Sequence, residues 1–149
     1  MEESTVEKSS FIEIPTKKIY KQRAISVGTF LGGPLVAGYF IAENFKAFDE
    51  NEKAKKTWII AIIVTVFVFG TAFLIPDDVT IPNQIIPILY TGIAYYMAQH
   101  FQGEKIKEHI ENGGVYFNWW RTIGVGFIGL FITILAAISI FILLDLAKA

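Results

Sequence analysis

A chain of 149 residues is long enough for one domain, and 53% of its residues are hydrophobic while 18% are charged. Soluble domains carry about 25% charged residues, so this balance favours lipid over water as the surrounding medium. The net charge of -1 gives no electrostatic case for nucleic acid, whose binding requires a concentrated basic surface, and any basic patch must be local. The lack of cysteine excludes disulfides, thiolate zinc sites and iron–sulfur ligation.

The N-terminal region 1–23 is polar and mixes glutamates with lysines. A secretory signal would begin with a short basic stretch and an apolar run, so we expect this region to remain in the mature protein. We treat residues 1–149 as a single integral membrane domain.

Beyond this region, four stretches lack Asp, Glu, Lys and Arg. Each is close to the length of about 20 residues that a helix needs to cross a bilayer. They are Ala24–Ala42, Thr57–Pro76, Val79–Gly103 and Thr122–Leu144. Buried helices of a soluble protein also lack charge, but four of them in so short a chain would leave almost no amphipathic surface to face water. We therefore predict an all-α membrane protein.

The first stretch, 24–42, is interrupted at its middle by Gly32-Gly33-Pro34. If it spans as one helix, the two sides of the membrane carry six and seven of the 13 basic residues, which gives no orientation. If it turns back, one side carries twelve and the other carries one. We predict a re-entrant helical hairpin followed by three transmembrane helices. The alternative is four transmembrane helices with the first kinked.

The remaining elements follow from the same pattern. We predict transmembrane helices at 57–76, 84–101 and 120–144, the first two joined by a short link that contains Asp77 and Asp78. An interfacial amphipathic helix is predicted at 103–113, where Ile106 and Ile110 share one face and Asn112-Gly113-Gly114 supplies a stop signal. Two tryptophans and an arginine in the segment Phe117–Arg121 are typical of an interfacial belt at the entry of the last span.

Glycines in two of the stretches have a structural and a functional interpretation. Gly124-Val125-Gly126-Phe127-Ile128-Gly129 matches a dinucleotide fingerprint by letter, but such a loop follows a strand, and here it opens a predicted span. Gly28 and Gly32 form a G-x-x-x-G pair. Close packing between helices is the better interpretation of both sets.

His100, Glu104 and Glu108 recur every four residues, with His109 beside them, so an unbroken helix would align three metal ligands. Gly103 is expected to interrupt that helix, and a solvated face with ion pairs such as Lys107–Glu111 is the favoured interpretation.

The other polar groups offer little chemistry. Glu43, Asn44 and Asp145 lie where the headgroup boundary is expected, and no stretch has an ionisable residue near its centre. Ser139 lies inside a span without an activating base. We predict no catalytic residue, no cofactor-binding residue and no metal ligand.

The string FLGGPLVAGYFIAENFKAF, the lysine-rich link after it and the later GEKIKEHIENGG and WWR elements resemble a family of small multi-pass membrane proteins of bacteria with no known activity. The resemblance covers most of the chain. It implies a bacterial cytoplasmic membrane and brings no activity, ligand or site residue.

The leading prediction is therefore a non-enzymatic membrane protein that acts as an accessory, scaffold or immunity-type partner through packing in the bilayer. The alternative is a small oligomeric channel or transporter, which the re-entrant segment favours. The expected partners are the lipid bilayer, anionic headgroups at the basic clusters, and a second copy or another membrane protein; no nucleic acid is expected. Lys17, Lys18, Lys21 and Arg23 form one of these clusters, and Lys53, Lys55 and Lys56 form the other.

Overall fold

A computed structural model describes residues 14–72, 74–76 and 78–148. Within them the fold is all-α, which confirms the helical part of the prediction. The helices are α1 (Gln22–Gly32), α2 (Pro34–Ala47), α3 (Asn51–Ala72), α4 (Ile85–Glu111) and α5 (Trp119–Lys148). Among the described residues, the segment before α1 and the segment before α5 pair at a single parallel β-bridge, between Ile19 and Tyr116.

The chain reverses between α1 and α2. Gly33 makes the turn with φ of 84° and ψ of -174°, a conformation that is essentially restricted to glycine. Pro34 follows as the first residue of α2, where its missing N–H costs nothing. Backbone groups at the turn are satisfied locally, because the Gly33 N–H donates to the Thr29 carbonyl and the Gly33 carbonyl accepts from Val36 and Ala37. The two helices therefore form an antiparallel hairpin.

The ends of this hairpin lie together. The backbone N–H of Tyr20, before α1, donates to the side chain of Asn44 near the end of α2. Lys17 pairs with Asp49, and Lys105 at the end of α4 pairs with Glu50. We call this the basal end, formed by residues 14–23, 44–56 and 105–121. It holds every lysine and arginine of the described residues except Lys148.

The longer helices α3, α4 and α5 surround the hairpin. α3 packs against α2, α5 packs against α1, and α4 contacts both arms. Among the described residues, no Cα atom of one long helix comes within 8 Å of another long helix. The hairpin is thus the element that holds the other three together.

The buried core lies in and around the hairpin. Its members are Tyr20, Ile25, Val36, Phe40, Ile41, Ala42, Phe45, Ala54 and Ala98. Beyond the Gly33 turn, towards the opposite or distal end, the long helices expose large apolar side chains, for example Phe67 at 69%, Leu89 at 60% and Phe141 at 67%. A soluble protein rarely leaves so much apolar surface open.

Two helices of the described residues are long and apolar enough to cross a membrane, by length and composition: Asn51–Thr71 within α3 and Trp119–Ala147 within α5. α4 is not one of them, because its tyrosines, glutamines and His100 make it less apolar.

The expected break at Gly103 does not occur. One continuous helix, α4, takes the place of the separate helices predicted at 84–101 and 103–113. The helix continues because Gln102 and Ile106, on either side of the glycine, are both buried. A single helical glycine costs only about 1 kcal/mol, which such packing outweighs.

Candidate functional site

A buried polar cluster joins three elements at the basal end. The Asn44 side-chain oxygen accepts from the Tyr20 N–H at 2.7 Å, and its amide group donates to the Tyr20 carbonyl at 2.8 Å and to Gln102 Oε1 at 3.2 Å. Gln102 in turn donates to the carbonyl of Ile41 at 2.8 Å. Asn44 and Gln102 are fully buried. Because buried amides need partners, this cluster fixes α4 and the N-terminal segment against α2.

Arg121 lies beside this cluster, in the first turn of α5. Its Nε donates to the Tyr20 hydroxyl at 2.7 Å and its Nη2 to the Tyr39 hydroxyl at 3.4 Å. The guanidinium carbon lies 4.3 Å from the ring centre of Phe117. Burial raises the pKa of the Tyr20 phenol to about 12, although the hydrogen bond from Arg121 acts in the opposite direction. Tyr20 is therefore neutral at physiological pH and does not balance the arginine charge.

A second charged group connects the α2–α3 link to α4. The Glu50 carboxylate lies 2.5 Å from the ammonium of Lys105 and 2.5 Å from that of Lys53. The hydrogen bonds from Lys105 and then Lys53 lower the pKa of Glu50. This group ties the end of α4 to the end of the hairpin.

Small residues line the contact between α1 and α5, as predicted. A Cβ atom added to Gly32 would lie 2.7 Å from the carbonyl oxygen of Gly126, and one added to Gly126 would lie 3.4 Å from the carbonyl oxygen of Gly28. Gly129 faces Gly32 in the same way, while Gly124 faces open space. Gly126 and Gly129 of the dinucleotide-like string thus serve close helix packing, whereas Gly124 does not.

An apolar groove of about 310 Å³ lies between α3 and α4, with α2 as its floor. Its lining includes Gly38 and Ile41 from α2, Ile60 and Val64 from α3, and Leu89 and Ile93 from α4. Hydroxyl groups of Thr57, Thr71 and Tyr90 supply its side-chain polar atoms. The groove exists because α3 and α4 each pack against the hairpin, while their backbones stay more than 8 Å apart in Cα distance within the described residues.

The four residues considered as possible metal ligands do not form a site. His100, Glu104 and Glu108 are exposed on α4, whereas His109 is 6% exposed and packs against Phe48, with ring centres 5.9 Å apart. Within residues 14–72, 74–76 and 78–148, no three His, Asp or Glu side chains are placed to hold a metal ion.

Sequence reasoning missed the roles of Asn44 and Gln102. Asn44 was expected at a headgroup boundary beside Glu43, but its side chain is buried and bonded within the protein. The available signal was an amide residue near the end of each of two uncharged stretches. Ser139 donates to the carbonyl of Leu135 in its own helix.

No family model matches this sequence, and no curated protein or solved structure matches it either.

Proposed function

We propose that the protein is a multi-pass protein of the bacterial cytoplasmic membrane, in which α3, α4 and α5 cross the bilayer and the α1–α2 hairpin enters and leaves on the basal side. The support is the band of exposed apolar side chains on the long helices. At 1.5 Å per residue, hairpin arms of 11 and 14 residues are about 16 and 21 Å long, compared with about 30 Å of hydrocarbon.

The turn at Gly33 suits such a position. Irregular backbone at membrane depth requires hydrogen-bond partners from the protein or from water. The N–H and carbonyl of Gly33 have partners within the hairpin, and Pro34 has no N–H to satisfy. The concentration of lysine and arginine at the basal end supports a cytoplasmic location for that end.

Within the membrane, the protein acts as a non-enzymatic accessory, scaffold or immunity-type partner. The observation that carries this proposal is the separation of the three long helices. Each presents an apolar face to the bilayer, and the groove between α3 and α4 offers a seat for another transmembrane helix. Packing of helices against such faces needs no catalytic group.

A small oligomeric channel or transporter is the alternative. The observation that favours it is the open space around Gly33, where an added Cβ would meet no atom within 4 Å. Several copies could present these turns to a shared pathway. Proteoliposomes that pass neither ions nor small solutes would remove this alternative.

Single-cysteine labelling tests the membrane placement, since the chain has no native cysteine. Cysteines replace Lys18, Lys53, Lys107, Asp78 and Ala149 one at a time, and a membrane-impermeant thiol reagent is added from each side. The first three are expected to react from the cytoplasmic side and the last two from the other. Opposite accessibility of positions 18 and 53 would contradict the hairpin and support four spans.

Photo-crosslinking from the groove tests the partner role. A photoreactive amino acid at Leu89, inside the groove, is expected to form protein adducts in intact membranes. The matched control is Leu146, which is 67% exposed near the end of α5. Lipid adducts alone at both positions would contradict a scaffold role, as would turnover of a lipid, peptide or nucleotide substrate by the purified protein.

A further inference from the structure

The guanidinium of Arg121 is held in a defined orientation at the basal end. Tyr20, which accepts the shorter of its two hydrogen bonds, is 1% exposed. The ring centre of Tyr20 lies 4.5 Å from the ring centres of both Phe40 and Phe117. The backbone of Tyr20 is bonded in turn to Asn44. Arg121 is therefore positioned by a buried residue, unlike an ordinary surface arginine.

Much of the hydrogen-bonding capacity of Arg121 faces outwards. A guanidinium has five N–H groups, and the bonds to Tyr20 and Tyr39 use two of them. Among the described residues no carboxylate pairs with Arg121, and its side chain is exposed. The remaining N–H groups form the planar fork that binds the oxygens of a phosphate in pairs.

The surroundings indicate where such a phosphate would come from. The Lys21 ammonium lies 4.9 Å from the ring centre of Trp119 and 5.9 Å from that of Tyr116. Trp120 is 80% exposed on the first turn of α5. Trp and Tyr gather at the headgroup level of bilayers. A second cation, Lys21, and tryptophans of the first turn of α5 therefore lie at the same basal end as the arginine.

We propose that Arg121 binds the phosphodiester of a membrane phospholipid, with Lys21 as a second cation of the basal end and the acyl chains along the exposed apolar face of α5. This proposal rests on the proposed passage of α5 through the bilayer. Two cations without an acidic partner among the described residues favour an anionic headgroup such as phosphatidylglycerol. The ammonium of phosphatidylcholine would compete with Lys21, which already lies over the Trp119 and Tyr116 rings.

Native mass spectrometry of the purified full chain in detergent measures the binding. The protein is titrated with phosphatidylglycerol, phosphatidylcholine or inorganic phosphate. The wild type is expected to retain phosphatidylglycerol preferentially, and Arg121→Gln to weaken that retention about tenfold or more, because charge-assisted hydrogen bonds are lost. Arg121→Lys keeps the charge without the fork and is expected to fall between the two.

Lys107→Gln is the matched control, because Lys107 is a 76% exposed cation of the same end that pairs with Glu111. It is expected to change retention less than about twofold, as a rim charge does. Equal weakening by Arg121→Gln and Lys107→Gln would overturn the site in favour of diffuse attraction. Equal binding of inorganic phosphate would overturn the choice of a lipid.

A third variant covers the case in which Arg121→Gln does not fold. Tyr39→Phe removes the hydroxyl that accepts a hydrogen bond from the guanidinium, and it is expected to weaken phosphatidylglycerol retention while the fold persists. Unchanged retention in both Tyr39→Phe and Arg121→Lys would overturn the proposal. Cysteine labelling that contradicts the membrane placement would refute the proposed function instead, so the two failures are distinguishable.

Discussion

Replacement of Asn44 by alanine is the most direct test of how the hairpin holds the fold. The change deletes three hydrogen bonds and leaves both backbone groups of Tyr20 without their partner. A hydrogen bond contributes about 1 kcal/mol net in water-soluble proteins, and about 0.6 kcal/mol on average within membranes. The buried groups left unsatisfied add a desolvation cost. We expect the free energy of unfolding to fall by about 2–4 kcal/mol.

Reversible unfolding of the purified protein in mixed micelles, titrated with SDS, measures this loss. Trp58 is a suitable fluorescent reporter, because it packs against Tyr39 in the hairpin with ring centres 6.3 Å apart. The matched control is Gln99→Ala, an exposed amide on the same helix as Gln102. The control is expected to stay within about 0.5 kcal/mol of the wild type.

Equal unfolding free energies for the Asn44 and Gln99 variants would refute the reasoning, since the buried amide would then contribute no more than an exposed one. A double variant with Gln102→Ala sharpens the result. The two side chains share a hydrogen bond of 3.2 Å, so their combined effect is expected to fall short of the sum of the single effects by about 0.5 kcal/mol or more.

Three further outcomes follow from the geometry. Gly32→Ala places a methyl group 2.7 Å from the Gly126 carbonyl oxygen and is expected to lower the unfolding free energy by about 1–3 kcal/mol in the same SDS titration. The control, Gly124→Ala, faces open space and is expected to be neutral or stabilising. The added methyl group of Gly33→Ala meets no neighbouring atom, but a residue with a Cβ is then held at a positive φ. We expect the unfolding free energy to fall by about 1–3 kcal/mol from backbone strain alone. A change as small as that of Gly124→Ala would contradict this expectation. The lysine partners of Glu50 lower its pKa, so its contribution to stability is present above its ordinary pKa of 4.5 and is lost as the pH falls below that value. Between pH 7 and pH 3.5, the thermal unfolding temperature is expected to decline less in Glu50→Gln than in the wild type. Parallel declines would contradict the assignment.

The hairpin was largely predictable, because its signals are local. Glycine and proline act on the backbone where they stand, and the observed turn at Gly33 lies within the predicted Gly32-Gly33-Pro34. The small-residue faces were predictable for the same reason, since spacings of three and four along a helix show which glycines share a face. Whether the hairpin lies within a membrane stays a prediction.

The polar cluster could not be predicted, because its partners are distant in sequence. Asn44 bonds to Tyr20 across 24 residues and to Gln102 across 58. From sequence alone, an amide at the end of an apolar stretch resembles any residue at a headgroup boundary. The continuity of α4 was missed for a related reason: the weak helix-breaking effect of Gly103 is visible in the sequence, whereas the burial of Gln102 and Ile106 against other helices is not.

The dependence of α3, α4 and α5 on a central hairpin has a mechanical consequence. Each long helix packs against the hairpin along its basal half, and its distal half extends beyond the hairpin. Within the part of the chain that the structure describes, no Cα atom of α3 comes within 8 Å of a Cα atom of α4. If a partner helix occupies the proposed seat between α3 and α4, we expect these helices to tilt apart while the glycine contacts of α1 with α5 and the Asn44 cluster stay intact.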